Sequence, residues 1–316
     1  MNAPHRMDLM ISSMHHNGFW NCNQKCLHCY ASEQKYAITK ELTTEQWKQT
    51  IDKLKDAGIS QLTFTGGEPT LREDLVELVN YAAWFVTRLN TNGVLLSKSL
   101  VNELKEASLD SVQVTLYSHD KNIHNILVGS PNFDKTVEGI KNAVDAGLNI
   151  SVNTPLCSLN ENYLETVKFA QQLGVKYFSC SGLIMTGNST FDNAKDTYLS
   201  REEITEIIKK ATNYCHQNGL EISFTSPGWI DKSNLQELGL VVPSCGACLS
   251  NMGIAPDGSV VPCQSWLSNN NLGNILDIDF KHIWNSKECK KIRKQAVKSF
   301  ETCLLAKNKE DNYENN

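Results

Sequence analysis

The sequence of 316 residues lacks an apolar run long enough to cross a lipid bilayer, which takes about 20 residues. Its first ten residues mix Pro, His, Arg and Asp and have no apolar centre of the kind that signal peptides carry. We therefore expect a cytoplasmic protein with no membrane partner. The sequence also lacks a glycine-rich loop that would cradle a phosphate, and it has no Ser–His–Asp spacing.

Positive charge is scarce as well. The chain has 30 Lys and Arg residues against 35 Asp and Glu, and only five of the 30 are arginines. A net charge of −5 gives no electrostatic reason to expect nucleic acid as a partner. Two small basic clusters, residues 121–124 and 290–294, are predicted to be solvated faces. The content of 41% hydrophobic and 21% charged residues is typical of a large α/β core with room for a second small domain.

Cysteine, in contrast, is abundant at eleven residues. Cys22, Cys26 and Cys29 follow the spacing C-x3-C-x2-C, and clustered cysteines in a reducing compartment favour metal or redox chemistry over disulfides. A cubane iron–sulfur cluster takes four thiolates, so three would leave one iron open to a small chelating molecule. The alternatives are a zinc site with His28 as fourth ligand, and three unligated core cysteines.

Hydrophobic periodicity predicts a strict alternation of strands and helices over the first 225 residues. Strands are predicted at 8–14, 61–65, 84–89, 111–116, 149–154, 176–184 and 220–225. Helices are predicted at 44–57, 72–81, 98–107, 133–146, 161–173 and 201–217. Such units build a parallel sheet with outer helices, and about six of them fit an α/β fold of the partial (β/α)6 TIM-like barrel type. Chemistry is then expected at the carboxyl ends of the strands.

The pattern changes near residue 226. An irregular stretch leads to a predicted small hairpin between residues 245 and 263, which turns at Pro256-Asp257-Gly258, and a helix follows at 287–298. We therefore predict a core over residues 8–225, a cysteine-rich extension over 226–305, and a disordered polar tail over 306–316.

The cysteine loop and the motif Gly66-Gly67-Glu68-Pro69, which directly follows a predicted strand, together closely resemble the signature of the radical SAM superfamily. The resemblance implies that Cys22, Cys26 and Cys29 hold a [4Fe–4S] cluster whose open iron chelates S-adenosylmethionine (SAM). It also implies that Gly66, Gly67, Glu68 and Pro69 contact the methionine amino group of SAM.

Further contacts to SAM are implied at successive strand ends. The resemblance places them at Asn92, Thr115, Asn153 and Ile184. In many relatives an arginine that precedes a glycine binds the SAM carboxylate, but here that stretch reads Ile126-Leu127-Val128-Gly129. Arg72 and Arg88 are candidate substitutes for the missing arginine.

A second cysteine group resembles the opening of the SPASM or twitch extension of radical SAM enzymes. Its spacing is Cys248, nine residues, Gly258, four residues, Cys263, and Cys245 supplies a third thiol. The later C-x2-C-x5-C-x3-C part of a full SPASM pattern is absent, so a twitch-like domain with one auxiliary [4Fe–4S] cluster is expected. Cys303 is favoured over Cys289 as its fourth ligand. Zinc, or three thiols plus substrate, are the alternatives at this site.

The resemblance implies an enzyme that cleaves SAM reductively to a 5′-deoxyadenosyl radical and abstracts a hydrogen atom from a substrate carbon. A reductase such as flavodoxin or ferredoxin is the expected electron donor. The favoured substrate is a ribosomal peptide or protein that gains a crosslink, a thioether or an epimerised residue. The alternatives are a small-molecule dehydrogenase or epimerase acting on a sugar or cofactor precursor, and a non-catalytic zinc or iron–sulfur protein. Cys157 and Cys180 lie near strand ends as candidate hydrogen donors, although buried packing is the plainer interpretation of each.

Overall fold

The computed structural model of the chain describes residues 3–306. The strands are β1 (Arg6–Ser12), β2 (His15–His16), β3 (Phe19–Trp20), β4 (Gln61–Gly66), β5 (Val86–Thr91), β6 (Ser111–Thr115), β7 (Asn149–Pro155), β8 (Tyr177–Ser181), β9 (Glu221–Phe224), β10 (Asn251–Ile254) and β11 (Val260–Val261). The helices are α1 (Thr44–Asp56), α2 (Leu75–Tyr81), α3 (Lys98–Glu106), α4 (Lys121–Val128), α5 (Phe133–Asp145), α6 (Tyr163–Gln172), α7 (Asp192–Lys195), α8 (Arg201–Gln217), α9 (Lys232–Glu237), α10 (Phe280–Asn285) and α11 (Lys287–Lys298).

Within residues 3–306, nine strands form one sheet in the order β11-β10-β1-β4-β5-β6-β7-β8-β9, while β2 and β3 pair separately. Neighbouring strands run parallel except for β11, which is antiparallel to β10. The sheet ends at β9 and β11, so the barrel is open, and the predicted partial TIM-like barrel is confirmed.

The side chains of each strand alternate between two environments. Val112 and Val114 of β6 are buried under the outer helices, while Gln113 and Thr115 face the inside of the barrel. Because this alternation recurs along the parallel strands, the helix side of the sheet holds an apolar core and the inner side is lined with Thr, Asn, Gln and Ser.

Helix boundaries agree best with the sequence where caps are present. The Oγ of Ser200 accepts from the backbone N–H of Glu203 at 3.2 Å, and the Glu203 carboxylate accepts from the backbone N–H of Ser200 at 2.7 Å, so α8 begins where predicted. The helix predicted at 72–81 instead begins at Leu75, because Arg72 and Asp74 pair with each other in a bend ahead of it.

Helix α4 was not predicted. Its sequence was interpreted as a basic cluster on a solvated face, yet His124, Leu127 and Val128 are buried. Asp120 caps the helix by accepting from the backbone N–H groups of Asn122 and Ile123 at 2.8 and 3.1 Å. Only the charged end of the cluster faces solvent.

The carboxyl-terminal extension continues the barrel sheet. The predicted hairpin is β10 and β11, and β10 lies parallel to β1 with Met252 opposite Met7. The cysteines of the extension are thereby held beside the open side of the barrel. Of the predicted tail, residues 306–316, only Ala306 lies within the described residues. Among residues 3–306, no helix is both long and apolar enough to span a membrane.

Candidate active site

A cavity of about 450 Å³ occupies the inside of the barrel, and we call it the inner cavity. Its wall contains six cysteines from two distant parts of the chain: Cys22, Cys26, Cys29, Cys245, Cys263 and Cys303. The wall also contains seven of the eight residues expected to bind SAM: Gly66, Gly67, Glu68, Asn92, Thr115, Asn153 and Ile184. Pro69, the eighth, is buried in the turn that follows and does not line the cavity.

The first cysteine loop is held from two sides. The backbone N–H groups of Lys25 and Leu27 donate to the carbonyls of Val128 and Leu127, at 2.9 and 2.8 Å, at the end of α4. On the other side, Asn188 donates through its backbone N–H to the carbonyl of Cys29 at 3.0 Å and through Nδ2 to that of Cys26 at 2.9 Å. Residues 126–129, where the expected arginine is missing, therefore support the cysteine loop through backbone hydrogen bonds.

The three thiols of this loop are in an environment that disfavours thiolates. Burial, with the nearby Glu68 carboxylate, raises the pKa of Cys22 to about 12. Burial and the neighbouring cysteines also raise the pKa of Cys26, and burial raises that of Cys29. A bound cation would reverse this preference, because a metal deprotonates a coordinating thiol.

Glu68 supplies the carboxylate of the Gly66–Pro69 turn. It is fully buried and accepts hydrogen bonds on both oxygens. Oε1 accepts from the backbone N–H of Thr70 at 3.1 Å and from the hydroxyls of Thr70 and Thr91, each at 2.6 Å. Oε2 accepts from the backbone N–H of Asn92 at 2.8 Å. Burial nevertheless raises the pKa of Glu68, and a cation placed beside the carboxylate would favour its charged form.

Asn92 connects this carboxylate to the cysteine loop. Its Nδ2 donates to Oδ1 of Asn23 at 2.5 Å, while its backbone N–H serves Glu68. At the next strand ends, Asn153 Oδ1 accepts from Ser179 Oγ at 2.9 Å, and Thr115 lies beside Asn153 in the register of the sheet. The predicted SAM residues are thus brought to one end of the barrel.

The two glycines of the turn are required by the close approach of β1. The φ angle of Gly66 is +150°, and a Cβ there would collide with the backbone of Ser12. A Cβ on Gly67 would lie 2.9 Å from the carbonyl oxygen of Ser13. Neither position accepts a side chain unless the strand end moves.

Of the two arginines considered as carboxylate ligands, Arg72 is fully engaged elsewhere. Its guanidinium pairs with Asp74 at 2.6 Å and with Glu41 at 3.0 Å, and it also donates to the carbonyl of Ile11 at 3.0 Å. Arg88 lies in the wall of the inner cavity, in the amino-terminal half of β5.

The second cysteine group is arranged around Cys263. Cys303 and Cys245 lie close enough to Cys263 to add, after burial, to the rise of its pKa to about 12. Cys263 in turn acts on Cys248, which is fully buried behind the cavity wall. Cys245, Cys263 and Cys303 therefore line the inner cavity, and Cys248 lies behind its wall within electrostatic reach of Cys263.

Cys289 makes contacts of its own, which the sequence does not predict. Its thiol is a hydrogen-bonding neighbour of Cys248 and accepts from Arg293 Nη2 at 3.3 Å. These two contacts hold the pKa of Cys289 below its ordinary value. Arg293 also donates from Nε to the carbonyl of Cys248 at 2.6 Å and lies 3.4 Å from the ring centre of Trp284. This arginine was assigned to a solvated face, and its inward position depends on an aromatic partner from α10.

The remaining candidates lie outside the inner cavity or away from its chemistry. Cys157 packs with Tyr117 and Leu183 in a small buried cluster, and Cys180 is buried in the main core; neither lines the cavity. His28 lines it, but Nε2 bonds the Thr197 hydroxyl at 2.8 Å, and burial lowers the pKa of His28 to about 4. Across residues 3–306, no three His, Cys, Asp or Glu side chains converge closely enough to hold a single metal ion.

Comparison with known proteins agrees with this arrangement. Residues 20–173 match the Radical SAM superfamily, and residues 245–305 match SPASM, an iron–sulfur cluster-binding domain. A protein of Oleidesulfovibrio alaskensis named AdoMet-dependent heme synthase is 27% identical over 85% of this chain and 73% of its own. The PqqA peptide cyclase of Bradyrhizobium diazoefficiens is 27% identical over 83% of this chain and 67% of its own.

Two solved structures share the fold. Streptococcus suis SuiB, bound to its precursor peptide SuiA, superposes with a TM-score of 0.76 at 20% identity, covering 93% of this chain and 67% of SuiB. The protein anSMEcpe with bound AdoMet gives a TM-score of 0.71 at 19% identity, covering 93% of this chain and 84% of that one. The sequence matches imply a [4Fe–4S] cluster, SAM and auxiliary iron–sulfur as cofactors. The chain carries a radical SAM domain and, at its carboxyl-terminal end, a SPASM iron–sulfur domain.

Proposed function

We propose that this protein is a peptide-modifying radical SAM enzyme that abstracts a hydrogen atom from a carbon of its substrate. One observation carries the proposal: two cysteine groups and the Glu68 carboxylate face the same cavity. A substrate in that cavity would lie between two sites of iron–sulfur chemistry. We also propose a boundary near residue 225, where β9 ends and the irregular segment begins.

The first cysteine loop fits a [4Fe–4S] cluster. Cys22, Cys26 and Cys29 are thiols, the donors that such clusters take, and they line a cavity large enough for a cluster and an organic ligand. The buried amides of Asn23 and Gln24 have donors without hydrogen-bond partners next to these thiols, which suits sulfur atoms that accept hydrogen bonds. We propose these three cysteines as the ligands of the SAM-binding cluster.

Glu68 is the proposed partner of the SAM ammonium. A buried carboxylate with a raised pKa gains most from a cation placed against it, since the charge it carries is otherwise poorly solvated. Asn92 links Glu68 to the cysteine loop, because its backbone N–H donates to Glu68 and its side chain donates to Asn23. Thr115, Asn153 and Ile184 complete the proposed SAM-binding wall.

When bound, the reduced cluster and SAM supply a 5′-deoxyadenosyl radical, which is the species that removes a hydrogen atom. The chain positions the substrate carbon and keeps water and other hydrogen donors away. Cys157 and Cys180 suit this second requirement, because both thiols are buried outside the cavity wall.

For the auxiliary cluster we propose Cys245, Cys248, Cys263 and Cys303 as ligands. Cys263 is the electrostatic neighbour of the other three, whereas Cys289 is a neighbour of Cys248 alone. Cys289 and Arg293 then act behind the site, where they fix the backbone and thiol of Cys248.

A peptide substrate is supported by a second cavity, which we call the outer cavity. It measures about 630 Å³ and lies between the start of α8, residues 227–243 and residues 301–306. Pro227 lines both cavities, which are therefore neighbours, and we propose the outer cavity as the place for the part of a peptide that extends beyond the reacting residue. The names of SuiB, with its precursor peptide, and of PqqA peptide cyclase agree with this class of substrate.

A small-molecule substrate is the second candidate. It is favoured by relatives named AdoMet-dependent heme synthase, which are as similar in sequence as the peptide cyclase. Purified enzyme with SAM and reductant should be given each class in turn. A mass change in a peptide encoded beside the gene supports the first candidate, and turnover of a small molecule with no peptide change supports the second.

The proposed activity is tested by anaerobic reconstitution with iron and sulfide, followed by dithionite in place of a flavodoxin or ferredoxin reductase. Wild type is expected to convert SAM to 5′-deoxyadenosine, and Cys26→Ala is expected to form none. Cys157→Ala, which alters a buried thiol outside the cavity wall, is the matched control. Equal product from wild type and Cys26→Ala would contradict the proposal, and zinc in place of iron would favour a non-catalytic metal protein.

A further inference from the structure

The inner cavity has an end that lies near the amino-terminal ends of β1 and β5, and we call it the lower end. It contains charged side chains that the proposed SAM site does not use. The cavity wall holds two arginines and two carboxylates, namely Arg6, Asp8, Glu68 and Arg88. Glu68 lies at the carboxyl end of β4 and is assigned above to SAM. The other three lie near the amino-terminal ends of β1 and β5.

Arg6 and Asp8 form a pair, with Nε of Arg6 at 3.1 Å from Oδ1 of Asp8. Asp8 is buried, and its second oxygen, Oδ2, has no hydrogen-bond partner among the described residues. A buried carboxylate with a free oxygen needs a neighbouring positive charge, and Arg6 supplies it. Arg6 is therefore the direct partner of Asp8, and Arg88 acts on this carboxylate more weakly and only through space.

Arg88 forms no direct ion pair among residues 3–306, although the Asp8 carboxylate is near enough to act on it through space. The register of the sheet places it beside Thr63 of β4 and Ser111 of β6, two neutral residues. Its single hydrogen bond in the described part of the chain is a long one, 3.4 Å from Nε to Ser111 Oγ, and its side chain is exposed to the cavity. With Asp8 ionised, the group of Arg6, Asp8 and Arg88 carries one net positive charge.

The other arginines are engaged. Arg72 and Arg201 form ion pairs with carboxylates, and Arg293 stacks on Trp284. A guanidinium that lines a cavity and has no hydrogen-bonded anion is suited to bind one, because its fork of N–H donors matches a carboxylate or a phosphate.

Arg88 is also separated from the SAM end of the cavity. It precedes Asn92 by four residues on the same chain segment, which is about 13 Å at the rise of roughly 3.3 Å per strand residue. A SAM molecule held at Glu68 and Asn92 therefore leaves the Arg88 guanidinium available to a second molecule.

We propose that Arg88, with Arg6 beside it, binds an anionic group of the substrate, a carboxylate or a phosphate. The anion anchors the substrate at the lower end of the inner cavity and leaves its reacting carbon nearer the first cysteine loop. This assignment rests on the proposed function, because it takes the inner cavity to be the substrate site.

The test uses the reconstituted holoenzyme saturated with SAM, so that the SAM carboxylate site is filled. Glutarate and inorganic phosphate are titrated separately by anaerobic calorimetry, and uncharged glutaramide serves as the neutral probe. We expect one oxyanion to bind at one site per chain. Arg88→Gln should weaken that binding roughly tenfold or more, as expected for the loss of hydrogen bonds between charged groups. Arg88→Lys should weaken it less, and glutaramide should not bind.

Two controls keep the result interpretable. Lys209→Gln removes one positive charge from the exposed face of α8 and should leave oxyanion affinity unchanged. Circular dichroism and SAM affinity report whether Arg88→Gln is folded. Failure of both oxyanions to bind wild type, or equal affinity of the bound oxyanion for Arg88→Gln, overturns the proposal. So does a loss of SAM affinity with unchanged oxyanion binding, which would assign Arg88 to the SAM carboxylate. Oxyanion binding that depends on Arg88 in a protein that forms no 5′-deoxyadenosine would refute the proposed function alone.

Discussion

Replacing Glu68 with Gln tests the proposed SAM site with the smallest possible change in shape. The substitution removes the negative charge and converts one oxygen to an amide nitrogen. Both oxygens of Glu68 face N–H or O–H donors, from Thr70, Thr91 and Asn92, so the new nitrogen meets a donor in either orientation. The variant therefore loses the ammonium partner and at least one internal hydrogen bond.

The expected loss of SAM affinity is larger than the expected loss of stability. A hydrogen bond between charged groups contributes roughly 1.5–3 kcal/mol, which corresponds to a ten- to hundredfold rise in the Kd for SAM. An unsatisfied buried donor costs about 1–3 kcal/mol of folding stability. That cost is partly offset, because burial raises the pKa of Glu68 in the folded protein. A carboxyl group whose pKa is raised by folding stabilises the folded protein at a pH below its ordinary pKa. This stabilisation is lost as the pH rises through the raised pKa. Gln does not ionise, so the variant does not suffer this loss.

The assay is anaerobic calorimetry of SAM binding to reconstituted protein, with urea unfolding measured in parallel. Glu73→Gln is the matched control, since Glu73 is an exposed carboxylate only five residues away in sequence. We expect Glu73→Gln to bind SAM as wild type does. A Glu68→Gln variant that binds SAM within about threefold of wild type would refute the assignment of the ammonium partner, because that change is under 1 kcal/mol.

Four further predictions follow from individual residues. SAM affinity of wild type should fall as the pH drops through the raised pKa of Glu68, since protonation removes the charge that the ammonium needs, while Glu68→Gln should show a flat profile in the same titration. Arg72→Met should lower the free energy of unfolding in urea by about 3 kcal/mol, because it breaks ion pairs of a side chain that is only 10% exposed; a loss below about 1 kcal/mol would contradict this. Gly67→Ala should weaken SAM binding in calorimetry with iron content unchanged, because the added Cβ displaces the turn from the end of β1. Iron analysis should show about four fewer irons per chain in Cys303→Ala and no loss in Cys289→Ala, whereas the reverse would make Cys289 the ligand.

The sequence predicted the alternating elements because their signals are local. Helix α11 begins and ends where its periodicity indicates, and α8 begins at its capping box. The cysteine loop and the Gly66–Pro69 turn were recognisable for the same reason, since each lies within a few consecutive residues. Their meeting in one cavity follows from the parallel sheet, which brings the ends of its strands together.

Other features depend on partners far away in sequence and could not be predicted. Helix α4 was missed because its apolar face is short and becomes buried only against other parts of the fold, which include the cysteine loop and the rings of Tyr117 and Phe133. The pairing of β10 with β1 joins residues about 245 positions apart, and no local pattern records it. Arg72 and Arg88 were equivalent from sequence alone. The structure shows that Arg72 is held by Glu41 and Asp74, whereas Arg88 lines the inner cavity without a direct ion pair among the described residues.

The central claim is that two separate cysteine groups face one cavity and that SAM binds at the first of them. Electron paramagnetic resonance of dithionite-reduced protein, recorded with and without SAM, tests it directly in two triple variants. The variant with Ala at Cys245, Cys263 and Cys303 should retain about four irons and show a spectrum that SAM changes. The variant with Ala at Cys22, Cys26 and Cys29 should retain about four irons and show a spectrum that SAM leaves unaltered. A SAM-dependent spectrum in the second variant, or its absence from the first, would contradict the account.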